Sequence, residues 1–249
     1  MIILKGIKIM EYSVQMYSLR DVTKTDMDLA LAKVAEVGYS YVEFAGFFNH
    51  SADDINAMLK KHGLKISGTH SGWESLRDNF EETLAFHKAI GNPRFIIPGA
   101  DLSTEEKLDA FIDFINYIQP IMEKEGIELG YHNHSHEFIM TDYGKIIHDE
   151  IAKRTNIAFE IDTYWVYNAD LDPIEVLEKY KGRMSCVHVK DGFPGGQGRP
   201  LGQGGAPVAA VYEKAKELGL VMVVESENLD PSGPEEIAVC IKYLRTLEK

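Results

Sequence analysis

Residues 31–44 read LAKVAEVGYSYVEF. A helical segment runs to Gly38, and a stretch rich in β-branched and aromatic residues comes directly after it. Glycine suits the left-handed residue that closes a helix, and the β-branched and aromatic run favours a strand. The same phrase returns as MLKKHGLKISGTH (58–70), HKAIGNPRFIIPG (87–99), MEKEGIELGYHNH (122–134), LEKYKGRMSCVHV (177–189) and KAKELGLVMVVESE (214–227). This repetition places strands near 10–17, 41–45, 65–70, 94–98, 127–132, 157–162, 184–189 and 221–225. Helices fall near 26–37, 52–62, 75–90, 104–125, 143–153, 173–180, 206–218 and 234–247. STEE at 103–106 reads as a capping box, and Pro173 and Pro207 suit first helical turns. Eight strands alternating with eight helices in 249 residues predict an α/β fold, a (β/α)8 TIM barrel forming one domain over 1–249. A doubly wound sheet is the alternative, but no G-x-G-x-x-G follows the first strand, which removes the main dinucleotide signal.

Composition narrows the function. The chain is 45% hydrophobic and 26% charged, a soluble globular composition, with a formal net charge of -13. That charge disfavours nucleic acid as a partner. Two cysteines, Cys186 and Cys240, are too few for a disulfide framework. The start, MIILKGIKIMEY, lacks the apolar core of a signal peptide. No stretch approaches the roughly 18 uninterrupted apolar residues of a membrane helix. The expectation is a reduced, cytoplasmic protein with no membrane partner.

Barrel strands alternate side chains between interior and helices, and active sites gather at the strands' carboxyl ends. In AFEIDTYW, Phe159 and Ile161 meet helices, so Glu160 and Asp162 face the axis. In SCVHVKDG, Cys186, His188 and Lys190 face in. Glu225 ends the strand in VMVVESE. In YHNHSHEF (131–138), Tyr131 faces out and His132 in, with His134 sharing its parity. His132, Asp162, His188 and Glu225 thus stand at comparable heights on four consecutive strands. Taken singly, each is as readily a loop cap or a bonded core histidine. Converging inside a barrel, they would leave buried charge unpaired unless a cation joined them. Such ligands suit one divalent ion, Mn²⁺ or Zn²⁺ foremost, with Co²⁺ or Mg²⁺ as alternatives.

With SVQMYSLRD, YHNHSHEF, EIDTYWV, HVKDG, LGQGG and VVESE in place, nearly the whole chain resembles the sugar phosphate isomerase/epimerase family, with its xylose isomerase-like TIM barrel. The resemblance implies one divalent metal held from strands 5 to 8. It also implies chemistry on small keto sugars, polyols or their phosphates. Asp162, His188 and Glu225 fall on its ligand positions. The fourth departs: keto-sugar epimerases of the superfamily place a glutamate at the end of strand 5, as ligand and base, and here His132 stands there, with His134 as the neighbouring alternative. The implied reaction is isomerisation or epimerisation through an enediolate that a bound cation stabilises. Glu225 serves as base on one face, and His134, Glu137, Glu160 or His132 as the second acid or base. One-base isomerisation or β-elimination of the lyase or dehydratase kind fits these residues equally.

Lys190 is expected to donate to a substrate oxygen, or else to form a salt bridge with Asp191 or Asp162. Gln15, Tyr17, Glu43 and His70 are placed at the mouth as substrate contacts, joined by Glu137. Trp165 offers a wall for a sugar ring. The glycine-rich stretch 192–205 reads as a lid or connector. The partner is then a small carbohydrate, with a homo-oligomer allowed. Two readings compete: an endonuclease IV-type DNA repair enzyme, which the charge opposes, and a sugar-binding barrel without metal.

Overall fold

The computed structural model describes residues 10–248. In chain order its elements begin β1 (Ser13–Gln15), α1 (Arg20–Thr23), α2 (Met27–Val37), β2 (Tyr41–Ala45), α3 (Ala52–His62), β3 (Lys65–His70), α4 (Trp73–Asp78) and α5 (Phe80–Ala89). They continue with β4 (Arg94–Ile97), α6 (Glu105–Lys124), β5 (Glu128–His132), α7 (Ile147–Arg154), β6 (Ala158–Asp162), α8 (Thr163–Asn168) and α9 (Pro173–Lys179). Last come β7 (Cys186–Val189), the short strands β8 (Asp191–Phe193) and β9 (Gln197–Arg199), α10 (Val208–Leu218), β10 (Val221–Val224) and α11 (Gly233–Leu247). Strands β1 to β7 and β10 close into a barrel, each paired parallel to its neighbours. This is a (β/α)8 TIM barrel, one domain over the described residues. No helix among those residues is long and apolar enough to cross a membrane.

The strand alternation sorts the core. Phe44, Phe95, Leu129, Tyr131, Phe159, Ile161, Val187 and Val189 are buried against the helices in the main apolar cluster. Full burial of such side chains stabilises the fold by ~1.5–3 kcal/mol each. Inside the barrel, Ile96, Cys186 and Val223 form a separate small cluster. Gly130 makes room for it: a Cβ there would stand 2.4 Å from Ile96 Cδ1. At the strands' amino ends, Arg94 donates to Ser185 Oγ (2.6 Å) and to Ser67 O (2.8 Å), plugging that end. The polar interior therefore lies at the carboxyl end.

Several boundaries differ from the sequence expectation. The strand expected at 10–17 is only Ser13–Gln15, because the Gln15 side chain accepts from Tyr17 N and caps a 3₁₀ turn over Met16–Leu19. The helix expected over 75–90 is broken at Asn79 into α4 and α5. Thr104, not Ser103, caps α6, and Ser103 bonds Asp101 instead. Pro207 is the N-cap of α10 rather than a first-turn residue. The stretch after β7 carries an antiparallel pairing of β8 with β9.

Candidate metal centre

Strand register sets the heights of the inward polar groups. His132 lies beside Glu160, Asp162 beside His188, and His188 beside Val223, two residues before Glu225. His132, Asp162, His188 and Glu225 are all buried, and each offers one ligand atom within 4.8 Å of the others. Asp162 has two functions at once. Its Oδ1 accepts from Tyr164 N (2.9 Å) and Trp165 N (3.0 Å), capping α8, a helix the sequence pattern does not predict. Its Oδ2 is buried without a hydrogen-bond partner among the described residues, as is His188 Nδ1, 3.9 Å away. His188 Nδ1 also lies 3.5 Å from Glu225 Oε2.

The opposite edge of His188 is fixed. Its Nε2 lies 2.9 Å from Glu43 Oε1 and 3.1 Å from Glu160 Oε2. Glu160 Oε2 also bonds His70 Nε2 at 2.7 Å and lies 3.5 Å from His132 Nδ1. Gln15 Nε2 donates to Glu43 Oε1 at 2.7 Å. Carboxylates that hold the far nitrogen of a ligand histidine fix its orientation and tautomer. His70, His132, Glu160 and His188 are also grouped closely enough for an ion. There, however, His70 Nε2 and His188 Nε2 are already engaged by carboxylates. Glu160 Oε1 is unpartnered in that lower set, but the upper set brings two such atoms, Asp162 Oδ2 and His188 Nδ1, together with the Glu225 carboxylate, and these oxygen and nitrogen donors fit a divalent ion.

Electrostatics agree with that fit. Burial pushes the Asp162 carboxyl up to about 7, the signature of a buried carboxylate short of positive charge. Burial also opposes charge on Glu225, but the Lys190 ammonium outweighs it and holds Glu225 well below the usual carboxylate range. Burial opposes charge on Lys190 in turn, and Glu225 and Asp162 overcome it, raising its pKa. Burial leaves His132 well below the ordinary histidine value and lowers His134 as well.

Lys190 Nζ lies 3.2 Å from Glu225 Oε2 and 4.0 Å from Asp162 Oδ2, hydrogen-bonds Glu227, and stands 4.6 Å from the Trp165 ring centroid. Glu227 was not singled out from the sequence, although it shares the parity of Glu225. The salt bridge of Lys190 with Asp191 is not formed. Asp191 instead accepts from the backbone N–H groups of Gly192, Gly202, Gly204 and Ala206 at 2.8–3.1 Å. Asp191 takes the amides of Gly192, Gly202 and Gly204, and Asn168 Oδ1 takes those of Gly195 and Gly196, which ties the stretch down as a connector.

Other expected site residues sit deeper than the mouth. Gln15 and Glu43 are fully buried in the barrel interior, beneath the ligand set. Glu160 is likewise enclosed and positions imidazoles. Glu137 is fully buried, with Oε1 accepting from Tyr131 Oη (3.1 Å) and Oε2 from His134 N (2.8 Å), so it shapes the loop after β5. Asn133, also missed, pairs with both backbone groups of Asp162 (3.3 and 3.1 Å). His134 is half-buried, its ring centroid 5.2 Å from that of His132 and 5.7 Å from that of Trp165. His70 and Trp165 are partly open.

The xylose isomerase-like TIM barrel family model matches residues 31–247. The chain belongs to that family. A 2-oxo-tetronate isomerase of Haemophilus influenzae is 25% identical over 182 residues, covering 62% of this chain and 70% of that one. An inosose dehydratase of Geobacillus kaustophilus is 22% identical over 66% of this chain, and the match spans 61% of its own length. A solved sugar phosphate isomerase/epimerase from Parabacteroides distasonis is 26% identical, with a TM-score of 0.82 over 96% of this chain and 99% of that one. The chain is an enzyme by these relatives, in a family whose members isomerise, epimerise or dehydrate.

Proposed function

We propose that this protein is a divalent-metal-dependent isomerase or epimerase of a small keto sugar or polyol ketone. The observation that carries the reading is the pair of buried, unpartnered atoms, Asp162 Oδ2 and His188 Nδ1, flanked by His132, Glu225 and Lys190 at the carboxyl end of the barrel. His132, Asp162, His188 and Glu225 would hold the ion. When bound, it supplies Lewis acidity that polarises a carbonyl and stabilises charge on its oxygen.

The chain's own groups divide the remaining work. Glu225 is kept ionised by Lys190 and is the base for the proton next to the carbonyl. Lys190, held protonated by its carboxylate neighbours, donates to the oxygen on which charge develops. His134, kept neutral by burial, is the second proton carrier. Trp165 and the His134 ring form a wall against the sugar's apolar face.

A second reading, β-elimination of water, is favoured by one specific feature. His132 stands where keto-sugar epimerases carry a second carboxylate base, which leaves one carboxylate base and two proton donors. That set serves elimination as well as epimerisation, and inosose dehydratase stands among the relatives.

The test is metal-loaded protein with a panel of hydroxy ketones in D₂O, monitored by proton NMR. Deuterium is expected beside the carbonyl, with an isomer or epimer as product, and Glu225→Gln should abolish it. An unsaturated ketone as product selects the dehydratase reading. Metal-loaded protein that exchanges no such proton, or exchange undiminished in Glu225→Gln, defeats both.

A further inference from the structure

A cavity of about 540 Å³ opens beside His70, between the loops that follow β2 and β3. It falls within the ~300–1,000 Å³ typical of small-molecule sites. His70 lines it, and the His70 ring stacks on that of His188 at 5.1 Å between centroids, with an interplanar angle of 10°. The cavity therefore begins one imidazole away from a proposed metal ligand.

Its lining has a consistent chemistry. Phe47 and Phe86 supply aromatic surface, packed edge to face at 4.6 Å. Asn49 and Asn79 supply amides that no hydrogen bond among the described residues claims. No lysine or arginine lines it, and Glu82 adds a negative charge. Three histidines line it, His50, His70 and His87: His70 is committed to Glu43 and Glu160, and burial pushes His87 down to about 4, which leaves it neutral. A phosphate would meet no lysine or arginine among the described residues here, and Glu43 and Glu160 already answer the charge of His70, whereas phosphate sites need charge-assisted donors. At the lip, Phe48 is 41% exposed and held at φ 48°, with Asn49 at φ 64°. Bulky residues rarely adopt that backbone, and such strain concentrates at ligand-binding sites. Aromatic surface interleaved with neutral amides suits the two faces of a sugar ring.

We infer that this cavity is a second sugar subsite, and that the substrate is an unphosphorylated disaccharide or glycoside whose reacting unit lies over Asp162, His188 and Glu225 while its second ring enters between Phe47, Phe86 and Asn79. The inference rests on the proposed function for the placement of the reacting unit.

The experiment is calorimetry on metal-loaded protein with sorbitol, sorbitol 6-phosphate, and the disaccharide alditols maltitol and lactitol. At least one disaccharide alditol is expected to bind about tenfold tighter than sorbitol, a difference of ~1.4 kcal/mol. Sorbitol 6-phosphate should gain nothing over sorbitol. Ser75→Trp, which fills the cavity, should bring the disaccharide-to-sorbitol affinity ratio toward one. Asn79→Ala, a truncation that adds no bulk, should reduce the ratio severalfold. Equal binding of sorbitol and both disaccharides, or tighter, salt-sensitive binding of the phosphate, overturns the subsite while leaving sorbitol binding and deuterium exchange intact. Failure of the underlying function shows differently: sorbitol binding and exchange are lost together, and the subsite falls with them.

Discussion

Glu43 on β2 and His188 on β7 meet across the barrel interior, Oε1 to Nε2, at 2.9 Å. With Glu160 at 3.1 Å from the same nitrogen, this contact fixes which edge of the imidazole faces the carboxylates of Asp162 and Glu225. Burial opposes charge on His188, but Glu160, Glu225 and Glu43 outweigh it and raise its pKa well above the ordinary histidine value; an ion at Nδ1 would replace the proton there and leave the Nε2–H tautomer between Glu43 and Glu160. Glu160→Gln removes the charge that selects this tautomer and steadies His70 and His132 too. Loss of a carboxylate behind a ligand histidine typically weakens metal binding ~10–100-fold. Competition against a chromogenic chelator reads this directly. Unchanged affinity in both Glu160→Gln and Glu43→Gln would deny them a positioning role.

Removing the ion should cost the fold as well. Asp162 and Glu225 are buried carboxylates whose mutual repulsion a cation relieves. A ligand that binds only the folded state adds ~2.7 kcal/mol at a hundred times its Kd. Purified protein is expected to carry one equivalent of divalent ion by elemental analysis. Chelation should lower Tm by several degrees, and His188→Ala should carry no stoichiometric metal and show no response to chelator. A Tm indifferent to chelator in the wild type would count against an ion at this site.

The barrel and the convergence of His132, Asp162, His188 and Glu225 were legible because both derive from one periodicity. Period-two alternation fixes which of Glu160 and Ile161, or His188 and Val189, faces inward, and the helix–glycine–strand phrase fixes where strands end. Depth was not legible. Gln15 and Glu43 have the right parity for the mouth, yet both are fully buried in the interior, where Gln15 donates to Glu43 and Glu43 meets the Nε2 edge of His188. Side chains that bond backbone were equally hidden: nothing local ties Asp191 to Gly202, Gly204 and Ala206, 11 to 15 residues on. Asp162 has the sequence position of either a cap or a ligand, and its two oxygens allow both.

Asp191 makes a sharp prediction for stability. Its carboxylate satisfies four backbone donors, and bonds to charged acceptors contribute ~1.5–3 kcal/mol each. A Cβ on Gly204 would stand 2.2 Å from Asp191 Oδ1, so the fit admits no side chain there. Asp191→Ala should cost at least ~3 kcal/mol in denaturant unfolding, and amides 202–206 should lose hydrogen-exchange protection. Protection retained at those amides would show that the connector holds itself without Asp191.

Lys190→Met separates charge stabilisation from metal binding. Removing the ammonium leaves Glu225 and Glu227 without their cation, which favours a bound divalent ion. Loss of a single donor to a developing oxyanion typically costs ~10²–10³ in kcat. Metal affinity should therefore hold or rise while α-proton exchange falls by about that factor. Parallel loss of metal and exchange would instead make Lys190 a structural partner of the ligand set.

Acid sensitivity should trace in part to His148. The ring is fully buried, stacked between Phe138 (4.5 Å) and Phe159 (4.4 Å) with Tyr180 at 4.7 Å, and neither nitrogen has a hydrogen-bond partner among the described residues. Burial pushes its pKa down to about 3 from 6.5. Between those values the unfolded chain binds a proton that the folded chain does not. Stability from the neutral ring is thus complete above pH ~6.5 and declines as pH falls toward 3, by ~1.4 kcal/mol per unit. His148→Phe keeps the aromatic stack and removes the titration. Compared at pH 7 and pH 5 by urea unfolding, the wild type should lose ~2 kcal/mol more than the variant. His87, pushed down to about 4, contributes to both proteins and cancels in the comparison. Equal losses would mean that His148 already carries its proton in the folded barrel, against the apolar enclosure that surrounds it.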